Sequence, residues 1–247
     1  MSTQPSLTPI DVNKLRSACS NCSLRELCLP AGLDPQELAQ IDNMINRRRP
    51  IRRGDYLYRA GADLQSMYAI RAGFIKSCVL HEDGREQVAG FHMMGDLLGL
   101  DAISSGHHLC DAIALEDTEV CDIPFATLEQ LSREIPSLQQ HFHRIMSREI
   151  VRDHGVMLLL GSMRAEERLA AFVLNLSQRF AARGYSSTEF NLRMTREEIG
   201  SYLGLKLETI SRVLSRFHEA GLIEVRNKYL RIRDADALRG VMGHCDS

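Results

Sequence analysis

From residue 51 to about 125 the chain is written in short alternating segments parted by glycines, and this pattern limits its fold more than any other. YLYRAG, MYAIRAG, FIKSCVL, EQVAGFH and AIALEDTEVCDI alternate apolar and polar residues, with Gly54, Gly61, Gly73, Gly84, Gly90, Gly95 and Gly106 between them. Period-two segments with regularly spaced glycine turns predict an antiparallel barrel or jelly roll. HEDGRE (81–86) reads as a hairpin tip turning at Asp83-Gly84. Ahead of it, Asp34 as cap and Pro35 at the first position predict a helix over 34–49, with Leu38, Ile41, Met44 and Ile45 as its apolar stripe and Pro50 as its end.

From about 126 the period lengthens to that of a helix. Residues 127–132 predict a short one, and SLQQHFHRIMSREIVRDHGVMLLL (137–160) a long one. Leu138, Phe142, Ile145, Glu149, Val156 and Leu160 recur by threes and fours, with Met146, Ile150, Asp153 and Met157 one position round. Such a stripe is wide enough for two neighbours, the barrel and a partner helix. Phe142, Ile145, Met146, Ile150, Asp153 and Met157 are therefore expected at a homodimer interface. Asp153 would face its twin across the two-fold axis, and like charges there weaken the pairing.

TREEIGSYLGLKLETISRVLSRF (195–217) carries a second constraint. Thr195 can cap a helix with Ile199 and Leu203 on its apolar side, and Gly204 permits a left-handed turn. A second helix, 207–218, packs down through Ile210, Val213, Leu214 and Phe217, while Gly200 lets the two helices approach. This is the helix-turn-helix pattern. The outward face of the second helix holds Lys206, Glu208, Thr209, Ser211, Arg212 and Arg216, a set suited to duplex DNA. Arg212 can bond guanine with both arms, Glu208 can accept from the cytosine amino group, and Ser211 can touch a base edge. LIEVR and YLRIR around Asn227-Lys228 predict a wing, with Arg226 and Lys228 set to meet phosphates. RAEERLAAFVLNLSQRFAA (164–182) predicts the connecting helix. The charge divides along the same line: net −5 over residues 1–160 and net +5 over residues 161–233. An acidic sensory part joined to a basic nucleic-acid-binding part would show this split.

Seven cysteines remain to be placed, three of them in CSNCSLRELC (19–28). No basic start followed by an apolar stretch opens the chain, and no apolar run approaches the ~18–20 residues of a membrane span. The expected location is therefore the cytoplasm, with no membrane contact. An odd cysteine count there argues for metal or redox chemistry over a disulfide framework. Zinc, an iron–sulfur cluster and a C-x₂-C redox pair all remain open at this point, although no βαβ pattern surrounds the pair.

In order, the elements are a strand-rich barrel, a long helix and a winged helix-turn-helix. Taken with C-x₂-C-x₅-C, GFHMMGDLLGLDAI, ALEDTEVCDIPF, AEERLAAFVLNLSQRF and ETISR, this order resembles the FNR branch of the Crp/Fnr superfamily of bacterial transcription regulators. The resemblance implies an α+β fold: a jelly roll like that of cyclic-nucleotide-binding domains, a dimerisation helix and a C-terminal winged helix-turn-helix. The expected division is 1–33 (cysteine-rich arm), 34–136 (sensory barrel), 137–162 (dimerisation helix) and 163–247 (DNA-binding domain). It further implies that Cys121 completes a set with Cys19, Cys22 and Cys28 that holds a 4Fe–4S cluster. On the same ground the cluster would promote dimerisation and binding to a palindromic TTGAT-type site without oxygen. Oxygen would destroy it and release the DNA. Contact with RNA polymerase falls to the tip His81–Glu86 and to Arg183, Tyr185 and Ser186. Zinc on the same four thiolates is the alternative, disfavoured by the x₅ spacing and the distant fourth ligand. Cys78 and Cys110 are expected as small buried residues, and Cys245 on a frayed tail. The corresponding stretch of the cyclic-nucleotide receptors grips phosphate with an arginine; DLLGLDAISSGHHLCDAIALE (96–116) has none, so no cyclic nucleotide is expected. No G-x-S-x-G, phosphate loop or H-E-x-x-H is present, so no enzyme is expected.

Overall fold

The structure is a computed structural model, and it describes residues 19, 22–24, 27–44, 47–80 and 84–243. Helix α1 (Pro35–Met44) leads into eight barrel strands: β1 (Arg47–Ile51), β2 (Tyr56–Tyr58), β3 (Ser66–Ala72), β4 (Phe74–Leu80), β5 (Glu86–Met93), β6 (Leu97–Leu98), β7 (Asp111–Ala114) and β8 (Thr118–Pro124). They form two four-stranded antiparallel sheets in the orders β1-β8-β3-β6 and β2-β7-β4-β5, a jelly roll. Then come α2 (Phe125–Glu134), α3 (Pro136–Ser162) and α4 (Ala165–Ala181). Strand β9 (Glu189–Asn191), helices α5 (Arg196–Leu203) and α6 (Leu207–Glu219), strands β10 (Ile223–Arg226) and β11 (Tyr229–Ile232) and helix α7 (Ala235–Gly240) complete the winged unit.

Helix α1 begins as expected, because Asp34 Oδ1 accepts from the amides of Gln36 and Glu37, each at 2.8 Å. Its end is a correction. It stops at Met44, and Arg47–Pro50, expected as the end of the helix and its breaker, join Ile51 in strand β1. These five residues pair with Thr118–Asp122 of β8, and that sheet pairing overrides the local helical preference. Pro50 is tolerated because β1 is an edge strand, where a missing N–H costs nothing. Ile45 and residues 81–83 of the hairpin tip lie outside the described residues, as does Cys245.

Two cores matter for function. One joins Cys19, Leu29 and Leu33 of the arm, Leu38 and Ile41 of α1, Met67 and Ile123 of the barrel, and Leu138 and Ile145 of α3. The other runs from barrel residues Phe74, Val88, Phe91 and Met93 straight into α4, α5 and α6. Phe91 contacts Phe172 and Tyr202 with ring centroids 6.0 and 5.2 Å apart. Polar links reinforce this seam. Lys76 on β4 bonds Glu86 at 2.5 Å and Glu198 of α5 at 3.1 Å. Asp96, in the β5–β6 turn, takes Arg179 at 2.5 Å and Arg183 at 2.6 Å. Burial works against the Asp96 charge, yet these two guanidinium groups hold its carboxyl below the usual range.

Candidate functional site

Cys121 occupies the interior of β8, opposite Arg48 of β1 and Ala69 of β3, so its position is set by two strand ladders. The other three cysteines of the expected set lie outside the α-helices and strands, Cys19 in a 3₁₀ turn and Cys22 and Cys28 on irregular chain. The amide of Cys22 bonds the carbonyl of Cys19 at 3.1 Å, and that of Cys28 bonds Leu24 at 3.0 Å. The Cys19 amide also donates to Asp42 of α1. Cys19, Cys22, Cys28 and Cys121 line one apolar pocket together with Leu24, Leu29, Ile41, Ile123 and Arg71. Leu29 is buried and Leu27 half-buried, so both flanks of Cys28 are apolar.

Their electrostatics fit a cation-bearing occupant. Burial, with the neighbouring Cys22 adding to it, pushes the Cys28 thiol up to about 12 and the Cys121 thiol up to about 11. Burial likewise raises Cys19, with Cys28 and Asp42 adding to it. Thiolates in this pocket would repel one another, so ionising them needs positive centres among them. Four thiols and apolar walls are the donor set of an iron–sulfur site.

Cys78 is buried and Cys110 half-buried, and both are free thiols. His108 stacks on Tyr58 with centroids 3.6 Å apart, and its Nδ1 stands 3.5 Å from Asp101.

The expected dimer residues divide between two faces of α3. Ile145 is 8% exposed within the arm–barrel core, and Phe142 packs against that core. Ile145 thus faces inward, a correction to its expected place at a partner interface. Ile150 and Met157 are 55% and 66% exposed, Asp153 is exposed, and Met146 is intermediate. Val151 and Leu158, not expected there, are also bare and extend the apolar strip around the helix. A three–four stripe could not separate these faces, because both are apolar.

In the winged unit the parts are closed. Thr195 Oγ1 accepts from the Glu198 amide at 3.1 Å, and Glu198 accepts from the Thr195 amide at 2.7 Å, a reciprocal cap. Gly204 has φ 63°, a left-handed turn that suits glycine. A Cβ at Gly200 would stand 2.5 Å from the Leu205 carbonyl oxygen, so the close approach of α5 and α6 needs glycine there. Lys206, Glu208 and Arg212 are exposed, and Thr209 and Ser211 are half-buried. Ser211 accepts from Arg196 at 3.2 Å, and Arg216 pairs with Glu166 of α4. Neither residue is the free outward group expected from helical position. Arg226 and Lys228 are exposed beside the Asn227 turn. Of the loop expected to meet polymerase, Tyr185 and Ser186 are exposed. Arg183 is not: its side chain is 8% exposed and bound to Asp96.

Between the barrel and α3 lies a further cavity of about 380 Å³, lined by Tyr58, His92, Asp101, Glu149, Arg152 and Asp153, among others. Residues 96–116 bring no arginine to it, but α3 supplies Arg152. That guanidinium is paired with Glu149, and Asp101 and Asp153 line the same cavity.

Residues 48–134 match the family model described as the cyclic nucleotide-binding domain, and residues 167–241 match the Crp-like helix-turn-helix domain. The fumarate and nitrate reduction regulatory proteins of Salmonella typhimurium and Escherichia coli (strain K12) are each 53% identical over 226 residues, covering 92% of this chain and 90% of theirs. The chain belongs to the FNR branch of the Crp/Fnr family. Among solved structures, FixK2 from Bradyrhizobium japonicum superposes with a TM-score of 0.74 at 30% identity, covering 79% of this chain and 96% of that one. The CooA mutant from Carboxydothermus hydrogenoformans, at 19% identity and a TM-score of 0.66, shares the fold. Membership makes this chain a transcription regulator of the FNR type, not an enzyme, acting on DNA through its helix-turn-helix and as a dimer. Among the described residues, no helix is long and apolar enough to cross a membrane.

Proposed function

We propose that this regulator senses oxygen through a 4Fe–4S cluster held by Cys19, Cys22, Cys28 and Cys121. The observation that carries the reading is that three thiols of an irregular arm and one thiol of a sheet strand line one apolar pocket. When bound, the cluster supplies cationic centres that keep the four thiolates ionised and an oxygen-labile tie between arm and barrel. The chain's own residues do the rest. Leu24, Leu29 and Ile41 keep water from the sulfurs. Cys19, Cys22 and Cys28, held to Cys121, keep the arm on the core that also seats Leu138 and Ile145 of α3. Helix α3 then presents Ile150, Val151, Met157 and Leu158 to its twin, against the repulsion of the paired Asp153 carboxylates.

The dimer sets two α6 helices about one DNA turn apart on a palindromic TTGAT-type site. Lys206, Glu208, Thr209, Ser211 and Arg212 face the bases and backbone, and Arg216 exchanges Glu166 for phosphate. Tyr185 and Ser186, together with the exposed Gly84, Arg85 and Glu86 of the hairpin tip, are the candidates for polymerase contact. When oxygen removes the cluster, the arm loses its tie to Cys121, α3 loses its support and the dimer separates. Each half alone makes too few phosphate contacts to stay on DNA. The carboxylate-rich cavity beside α3 supports the reading that no cyclic nucleotide is the signal, since a phosphodiester would meet Asp101, Glu149 and Asp153 there.

Protein purified without oxygen tests this. Iron and acid-labile sulfide near four per chain, with broad visible absorbance that fades in air, are expected. A colourless protein that binds zinc and is indifferent to air would overturn the reading.

A further inference from the structure

We propose that His141 is the positioning residue that couples the cysteine arm to the dimer helix, through the hydrogen bond from its Nε2–H to the backbone carbonyl of Cys28. The proposal rests on the cluster reading above and adds the route by which the pocket reaches α3.

His141 lies in the second turn of α3 and is 6% exposed. Its Nε2 stands 3.1 Å from the Cys28 carbonyl oxygen. A carbonyl can only accept, so this nitrogen carries the proton. The same oxygen accepts from the Ala31 amide at 3.0 Å, so the carbonyl that follows the third arm cysteine is held from two sides. One turn earlier, Ser137 donates to Glu37 Oε1 at 2.6 Å. Glu37 also caps α1, accepting from the Asp34 amide at 2.9 Å. Helix α3 is therefore tied twice in its opening turns, once to α1 and once to the arm.

The two ties differ in what they can report. The Ser137 bond joins two helices and reaches the pocket indirectly, through Ile41 and Asp42 of α1. The His141 bond ends on a residue of the pocket itself. Leu138 and Ile145 bracket His141 on the same face and are buried in the core that contains Cys19 and Leu29. If the arm leaves, this bond is lost at a buried side chain, and the opening turns of α3 shift to make up for it. Any such movement is carried along one continuous helix to Ile150, Val151, Met157 and Leu158. A side chain that merely filled space would give none of this directional dependence on Cys28.

The test compares the full chain with H141L and H141Q, purified without oxygen. H141Q keeps a side-chain N–H donor and H141L does not. Iron, sulfide and visible absorbance are measured alongside the dimer dissociation constant from sedimentation, before and after air. H141L is expected to hold the cluster as the parent does, yet to dimerise about tenfold more weakly while loaded, within the usual range of coupling between sites. H141Q should return to within about twofold of the parent, and all three should dimerise equally weakly after air. The proposal is overturned if loaded H141L dimerises like the parent. It is equally overturned if H141L weakens the dimer by the same factor with and without the cluster, or if H141Q fails to rescue. Hydrogen exchange at the Ala31 amide, which bonds the same Cys28 carbonyl, provides a separate readout in the loaded proteins, expected to rise several-fold in H141L alone; no rise overturns the tie. A parent that never holds iron sinks the cluster reading, and the same exchange rate, compared between that iron-free parent and H141L, then decides the His141 tie by itself.

Discussion

The cysteine pocket and the helix-turn-helix are built on opposite principles. Around α5 and α6 every device is supplied by the chain: a reciprocal Thr195–Glu198 cap, a left-handed Gly204, and a Leu205 amide bonded to the Gly200 carbonyl at 2.8 Å. Around the cysteines, three of four donors sit outside the α-helices and strands, and burial pushes the described thiols Cys19, Cys28 and Cys121 up. The DNA reader is complete without help, while in the proposed reading the pocket is a set of donors that would gain order from the cluster it holds. This is how one chain can carry a fixed output and a removable input: the part that must be switched is the part left unfinished.

The sharpest way to break this contrast is Cys121→Ser. It is expected to abolish cluster loading and to lower anaerobic DNA affinity by about a hundredfold or more, as population shift of a few kcal/mol allows. The winged unit should melt as in the parent. Iron analysis, DNA titration and thermal unfolding check the three parts. Gly200→Ala should act the other way round. Its Cβ meets the Leu205 carbonyl oxygen at 2.5 Å, so overpacking of about 1–3 kcal/mol is expected in the winged unit. DNA affinity should fall while iron content stays at the parental level.

These two positions also show what could be read before any fold was known. Gly200 and Gly204 are local devices, and their spacing from Ile199, Leu203 and Ile210 is visible in a single stretch of chain. The alternation of the barrel strands is equally local. Three cysteines within ten residues were conspicuous, but the fourth lies about ninety residues on and came from family likeness rather than from any spacing. Strand β1 was misread because its pairing with β8 is a long-range choice that Arg47–Arg49 do not announce. Ile145 was placed outward because α3 has two apolar faces, and periodicity counts apolar residues without saying which neighbour takes each. His141 and the Asp96–Arg179–Arg183 group left no local mark at all, since each contact closes across eighty residues or more.

A smaller effect separates recognition from folding. Arg212→Ala should cost about 1–3 kcal/mol at a specific site and relax the preference for guanine at one position, measured by titrating matched and mismatched duplexes at fixed salt. Cluster content and dimerisation should not change. The smallest effect concerns the barrel that links the two regions. Buried His92 has its imidazole lowered by burial from 6.5 to about 3, so it stays neutral in the folded chain. On acidification from about 6.5 towards 3 the unfolded chain takes up the proton and the folded one does not, so stability falls with pH across that window. Urea unfolding of cluster-free protein at pH 7 and pH 5.5 should show the parent losing about 1 kcal/mol more than His92→Gln.

The central claim is that arm, dimer helix and DNA reader respond together to one oxygen-labile group. Air titration of anaerobically purified protein measures this directly, with visible absorbance, sedimentation and binding to a palindromic duplex followed on the same sample. The account predicts that the three signals fall together, with a common midpoint. DNA binding or dimerisation that persists after the absorbance has gone would contradict it.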